Sequence, residues 1–323
     1  YQSRFPYVSA YFRAAPQYAN QIAVVNGKKA GTDINLYKLF TEQCHNLLRE
    51  GGRCGIVIPS GIYTDLGAKQ LREMLFTTAQ ISGLFGFENR RMIFEGVDSR
   101  FKFVVLTYEK GGRTEAFPAA FMRHDVAELD RFPEVGGLPV SVELVRKTSP
   151  DSLSVMEFKS ALDIAITEKM LRFPLLGEDV PGAWSVRLTR EFDMTNDSGL
   201  FRTSPGPGRL PLYEGKMIWQ FDSHYAEPRY WVDEQEGRKA VLGARGMDKG
   251  QKLDYQAYRL GFRDIASNTN ERTLVSSVIL PTFHGNKIPT VIIFEDGKRV
   301  IDEVTQLYLC AVWNSFVCDQ NIR

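Results

Sequence analysis

The chain has 323 residues, 43% hydrophobic and 24% charged, proportions ordinary for folded protein and enough for two domains. A formal net charge of +1 excludes a nucleic-acid binder that works through bulk positive charge, so any such contact must come from a local patch. No apolar run approaches the roughly 18 residues of a membrane helix, and the start carries no signal-peptide pattern. Cys44, Cys54, Cys310 and Cys318 lie far apart with no C-x-x-C pair, which points to free thiols and a reducing, cytoplasmic setting. His45, His124, His224 and His284 are scattered without metal-ligand spacing, so no metal is expected.

Taken in chain order, Asp33 stands where a helix N-cap belongs. Leu36, Phe40, Cys44, Leu47 and Leu48 recur at helical spacing, which predicts a helix over 34–50 with that stripe on one face. Gly51 and Gly52 supply its stop. Ile56, Val57 and Ile58 form a short continuous apolar run, which predicts a strand covered on both faces. Ligands of open α/β sheets gather beyond the carboxyl ends of strands, so Pro59, Ser60 and the residues through Tyr63 are expected at the rim of a site. An ordinary strand-to-helix turn is the alternative.

A helix over 67–76 leads to strands over 81–87 and 101–109. The loop between them, 89–100, exceeds the roughly two to five residues of a hairpin and carries Arg, Phe and Gly, a pattern more often functional than structural. From 113 to 145 the pattern reads strand, short helix at 125–131, and strand at 140–145, and a helix follows from about 160 to 172. A turn-rich stretch ending in Pro205, Gly206, Pro207 and Gly208 marks a boundary. Beyond it, short runs at 212–221, 229–232, 258–265, 272–279 and 290–294 mix β-branched, aromatic and basic residues, and a helix over 302–323 closes the chain. The expected fold is therefore α/β, the second half of a doubly wound sheet including an antiparallel pair, followed by a β-rich domain. With the chain opening on Tyr1 and no Gly-rich turn before the sheet, the expectation is a fragment.

Two motifs mislead. Pro150-Asp151 followed by Glu157 and Lys159 mimics a nuclease signature, but the interval leaves little room for the two adjacent strands such a site needs. Gly243 to Gly246 is too short a signal for a phosphate loop.

Five pieces of the span 36–110, namely 36–42, 47–52, 56–60, 71–75 and 93–97, stand in a fixed order. They are followed by 213–218, 263–273 and 314–317. In that order they resemble the C-terminal half of the gamma-class N6-adenine DNA methyltransferases of type IIG restriction–modification and related phage-defence systems. The resemblance implies that 1–150 is the C-terminal part of a Rossmann-like methyltransferase catalytic domain and 151–210 a helical linker. It implies that 211–323 is an α+β target-recognition domain, incomplete at its C-terminus. The activity implied is transfer of a methyl group from S-adenosylmethionine to N6 of an adenine flipped out of double-stranded DNA. DNA is the implied partner, with the remainder of the polypeptide or other restriction–modification subunits, and no membrane.

The departure from the family is an absence. The Gly-containing cofactor turn and the Asn-Pro-Pro-Tyr motif do not occur, so catalytic residues and most of the cofactor site are expected upstream of Tyr1, and the chain alone is expected to be inactive. Phe94 holds the place of the aromatic residue that stacks on the flipped base, with Pro59 and Ser60 beside it. A loop aromatic tucked under the sheet is the competing reading. For base reading the candidates are Lys216, Gln220, His224, Arg245, Arg263, Asn268, Asn270, Arg272 and Lys287, because Arg and Lys pair with guanine and Asn and Gln with adenine. Most basic residues only meet solvent or phosphate. The segment 268–272 carries most weight. Its competing reading is a polar hairpin with Arg272 paired to Glu271 or Asp264. Two other functions remain open: a DNA-recognition subunit without catalysis of its own, and an unrelated α/β enzyme with a β-rich accessory domain.

Overall fold

The apolar alternation between residues 53 and 141 folds into a five-stranded sheet. Its order is Arg53–Pro59, Lys102–Lys110, Ala79–Glu88, Ala116–Arg123, Leu138–Ser141. Every pairing is antiparallel except that of Ala79–Glu88 with Ala116–Arg123. In this computed structural model residues 4–322 are described, apart from 177, 179, 182–185, 244–245, 267–269 and 296. The chain divides into two units, Tyr1–Phe173 and Pro174–Arg323, inside the segment expected to be a linker.

In the first unit, Ile62, Tyr63, Leu71, Leu75, Phe76, Leu84, Leu106, Tyr108 and Phe117 form the core between the sheet and the helices that pack on it. The helix Lys69–Thr78 is pinned by Arg72, which donates to Ile62 O at 2.7 Å, Asp65 O at 2.7 Å and Ser152 O at 2.6 Å. Burial lowers the Arg72 guanidinium to about 10, so it stays charged at neutral pH. A helix at Ala161–Met170 starts at Ser160 with a reciprocal capping box to Asp163, a local signal strong enough to set its start from sequence.

Two expectations for this unit are corrected. The helix Leu36–Leu47 is capped at Asn35 without a side-chain bond, not at Asp33, and its orientation is inverted. Leu36, Phe40 and Leu47 are exposed, while Tyr37, Lys38, Leu39, Thr41, Glu42 and His45 are buried. The physical reason is that the charged groups on this face, Lys38 and Glu42, are partnered. Lys38 Nζ donates to the carbonyls of Gln21, Asp33 and Gly67 at 3.1, 2.8 and 3.1 Å. The Glu42 carboxylate accepts from Asn20 N, Asn20 Nδ2 and Gln21 Nε2 at 2.9, 2.7 and 2.6 Å. Charges buried in this way keep their hydrogen bonds, so the usual cost of burying them is met locally. The strand Arg53–Pro59 is likewise covered only in part: it is the outer strand of the sheet, and Val57 is 52% exposed. A third difference is smaller. The run expected as a strand at 140–145 leaves the sheet after Ser141, whose hydroxyl accepts from Leu144 N and starts the helix Val142–Thr148.

The second unit is β-rich, as its texture predicts. One sheet has the order Phe283–His284, Arg209–Tyr213, Tyr230–Asp233, Phe201–Arg202. A second four-stranded sheet has the order Ser276–Ile279, Arg259–Phe262, Thr290–Val291, Leu188–Thr189, and Phe294–Glu295 pairs with Lys298–Arg299. The closing helix is two, Glu303–Trp313 and Phe316–Ile322, because Asn314 turns its amide inward to Ser276 O and Cys310 O at 2.9 and 3.0 Å. Gly237 lets its helix approach the Phe283 ring; a Cβ there would meet the ring at 2.5 Å.

At the centre of this unit is a buried polar group. Arg259 Nη1 lies 2.6 Å from Glu191 Oε1, Glu191 Oε2 accepts from His284 N at 3.0 Å, and Arg259 also donates to Thr282 O. His284 Nδ1 faces Gly285 O at 3.1 Å, so it carries the proton, and Nε2 accepts from Thr290 Oγ1 at 2.9 Å. Burial, and then the Arg259 charge, hold this imidazole well below the ordinary histidine range. The folded unit therefore keeps His284 neutral, while the unfolded chain takes up its proton below about pH 6.5. The unfolded state then binds more protons, so stability falls as pH drops through that range, by up to about 1.4 kcal/mol per pH unit. Urea titrations at mildly acidic and neutral pH are expected to show a smaller difference for His284→Gln than for the native protein. An equal difference would assign the acid sensitivity to other groups.

Candidate nucleic-acid interface

The site in the first unit is built where the outer strand Arg53–Pro59 ends. Pro59 stands opposite Phe103 in the register of the neighbouring strand, and Ser60 N donates to Lys102 O at 3.1 Å. The Phe103 ring stacks on Phe87 at 5.2 Å and meets the edge of Phe94 at 4.8 Å. Pro59, Ser60 and Phe94 are thus gathered at one corner of the sheet. Phe94 is 44% exposed.

What holds Phe94 there is Asn89, a fully buried residue with no distinguishing signal in the sequence. Its Oδ1 accepts from Phe94 N at 2.9 Å, and its Nδ2 donates to Phe94 O and Val97 O, both at 3.0 Å. Asn89 N donates to Phe101 O at 3.0 Å, which closes the loop at its base. The long loop is therefore tied from inside. Asn89→Ala removes three part-buried side-chain bonds to the loop backbone, at an expected cost of about 1–3 kcal/mol. Trypsin is expected to cut faster at Arg90, Arg91 or Arg100; unchanged cleavage and melting would show that the loop holds itself.

Beside Phe103, Lys102 points to the opposite face of the sheet, where it meets Glu157 and Tyr63. Glu157 accepts from Tyr63 OH at 2.7 Å and pairs with Lys102 Nζ at 2.5 Å. Burial, and then the Glu157 charge, push the Tyr63 hydroxyl far above its usual range, so it remains a proton donor. Glu157 belongs to the segment that mimics a nuclease signature, and here its carboxylate serves Tyr63 and Lys102. On the other side of the loop Glu88 is buried beside Arg90 Nε at 3.0 Å and His124 Nε2 at 3.1 Å. Burial alone would raise this carboxyl, but the bonds from Arg90 and His124 outweigh it and hold it below the usual carboxylate range.

In the second unit the structure groups Lys216, Gln220, His224, Arg263 and Lys287 around the segment 214–225. Arg263 donates from Nε and Nη2 to Ile218 O at 3.0 and 2.6 Å. Its guanidinium lies 4.8 Å over the Trp219 ring, which stacks on Tyr225 at 5.3 Å. Gln220 Nε2 donates to Asn314 O at 3.4 Å. Lys216, His224 and Lys287 are exposed; Lys216 is 3.3 Å from Glu214 and Lys287 4.0 Å from Asp264. Arg272 is turned inward, its side chain 13% exposed, over the Phe316 ring at 3.7 Å and 4.0 Å from Asp319. Asn270 sits in a bend beside it, whereas Arg245 and Asn268 lie outside the described residues. Among the described residues no group of three or more His, Cys, Asp and Glu side chains is placed to hold a metal ion, and no helix is long and apolar enough to cross a membrane.

Comparison with known proteins adds one class. Residues 6–94 match the Eco57I restriction-modification methylase family, a span that ends on Phe94. No curated protein matches the chain. Among solved structures, similarity extends to a nuclease-deletion mutant of the type ISP restriction-modification enzyme LlaGI in complex with a DNA substrate mimic. There the identity is 11% over 90% of this chain and 34% of that one, with a TM-score of 0.46. For the type IIL restriction-modification enzyme MmeI in complex with DNA the values are 8%, 81%, 36% and 0.44. For the type IIG restriction endonuclease BpuSI they are 12%, 90%, 40% and 0.35. The chain spans well under half the length of each, and likeness at this level carries no argument about its chemistry.

Proposed function

We propose that the chain is part of a site-specific DNA adenine methyltransferase, in which the first unit covers a flipped adenine and the second reads DNA. The observation that carries this reading is the Phe94 corner: a half-exposed ring on a loop tied by Asn89, beside Pro59 and Ser60 at a strand end. The family match over residues 6–94 supports the methylase class. An amino group to be methylated is buried in the duplex, so the base must leave the stack at a cost of a few kcal/mol and be held by its face and edge. Phe94 supplies a face. The Ser60 hydroxyl, without a hydrogen-bond partner among the described residues, is the polar group at the rim.

The strand-to-helix turn at Ser60 leaves no room for S-adenosylmethionine, the methyl donor this reading implies. At Ser60 the strand-to-helix turn is filled by Tyr37 and Asp65, joined at 3.1 Å, and a Cβ on Gly61 would already collide with both. The unpaired edge of the Arg53–Pro59 strand, with Val57 and the apolar stripe Leu36, Phe40 and Leu47 exposed, offers a surface on which more sheet could be added. In the second unit, Lys216, His224 and Lys287 are the exposed candidates for DNA contact, while Arg263 and Arg272 first order the unit around them.

Base flipping has a direct test. Duplex DNA with an adenine opposite an abasic site already lacks the pairing that flipping must break. The whole polypeptide is expected to bind it more tightly than fully paired duplex of the same sequence. Equal affinity would contradict flipping.

A further inference from the structure

We propose that Phe221 is a wedge that inserts between stacked base pairs of duplex DNA, an inference that rests on the DNA-binding reading above. Phe221 is the third residue of a tight turn in which Trp219 N donates to Asp222 O at 2.8 Å and Asp222 N to Trp219 O at 3.1 Å. Its φ is +63°, the left-handed region that disfavours any residue with a Cβ. Its ring is 65% exposed. Neither backbone preference nor burial accounts for phenylalanine here, since glycine would serve the turn better and the ring gains little from folding. A bulky residue kept in a disfavoured conformation and in water points to a use outside the fold.

The turn is also stiff. Phe221 N donates to Ser276 O at 3.1 Å, Tyr225 N to Met217 O at 3.1 Å, and Tyr213 OH to Ser223 O at 2.9 Å. The Gln220 side chain reaches Asn314 O, and the stacked Trp219, Tyr225 and Arg263 support the turn. A side chain that is already ordered loses little freedom on insertion. Apolar wedges unstack one base step and kink the duplex by roughly 20–90°. Lys216 and His224, exposed on the same segment, are placed for the phosphates on either side of such a kink.

The test uses Phe221→Gly, because glycine suits the left-handed φ and should leave the fold intact. The probe is random-sequence duplex DNA labelled at both ends, with energy transfer reporting bending and anisotropy reporting affinity. The native polypeptide is expected to bind and bend the duplex. Phe221→Gly should leave it straight, weaken binding roughly tenfold, and melt no lower than the native protein. Phe94→Ala, in the other unit, should keep the bend. A bend retained by Phe221→Gly, or native binding without a bend, overturns the wedge while leaving DNA binding in place. A lower melting temperature for Phe221→Gly assigns the ring to the fold and overturns it too. Absence of any duplex binding by the native polypeptide overturns both readings. Loss of binding to a protein, with bending unchanged, would make Phe221 a protein contact instead.

Discussion

Phe94→Ala in the complete polypeptide is expected to lower methyl transfer to duplex DNA by roughly 10- to 100-fold, with DNA affinity changed by no more than about twofold. The magnitude follows from one lost base–aromatic stack, worth about 1–3 kcal/mol. The split follows from timing: the ring meets the base only after flipping, so ground-state binding of the duplex is largely unaffected. The fold should tolerate the change, because the ring is 44% exposed and touches Phe103 edge-on. Phe94→Tyr, which keeps the aromatic face, should recover most of the turnover. Single-turnover rates at saturating DNA make the measurement. Native turnover in the alanine variant would return Phe94 to a loop residue that merely covers Phe103.

The largest expected effect on stability is in the second unit. Glu191→Ala leaves the Arg259 guanidinium, fully buried and 2.6 Å from the lost carboxylate, without its charge partner, and removes the acceptor of His284 N. Breaking such a pair from one side costs about 3–5 kcal/mol, a large part of the stability of an ordinary domain. The unit is expected to melt first and to show a lowered urea midpoint. Replacing both partners together, Glu191→Leu with Arg259→Met, should cost less than Glu191→Ala alone, because no unpaired charge is then left inside. A single-variant cost below about 1 kcal/mol would show that water or rearrangement reaches Arg259.

Local signals in the sequence reached far but not everywhere. Ser160 and Asp163 mark a helix start because a capping box acts between residues three apart, and the structure has it. The strands of the five-stranded sheet announce themselves by apolar content, and the loop at 89–100 by its length. The helix Leu36–Leu47 went the other way. Its periodicity marks the helix but not the face it buries, because Lys38 and Glu42 find partners at Gln21, Asn20, Asp33 and Gly67 that no local pattern reveals. The same holds at the candidate site. Phe94 could be picked from its place in the loop, whereas Asn89 looks like any loop asparagine until its three bonds are seen. Arg263 and Arg272 attract attention as cations, yet their surroundings are set by Ile218, Trp219, Phe316 and Asp319, distant in sequence. Phe221 carries no sequence signal at all, since its interest lies in a backbone angle.

If the Phe94 corner serves adenine methylation, a labelled methyl group must end on adenine N6. The protein is incubated with S-adenosylmethionine tritiated on the methyl group and with unmethylated duplex DNA. The DNA is then digested to nucleosides and the label located. The account predicts label in N6-methyladenine, sharply reduced in Phe94→Ala. Label in methylated cytosine, or DNA left unlabelled by an enzyme that binds both donor and duplex, would contradict it.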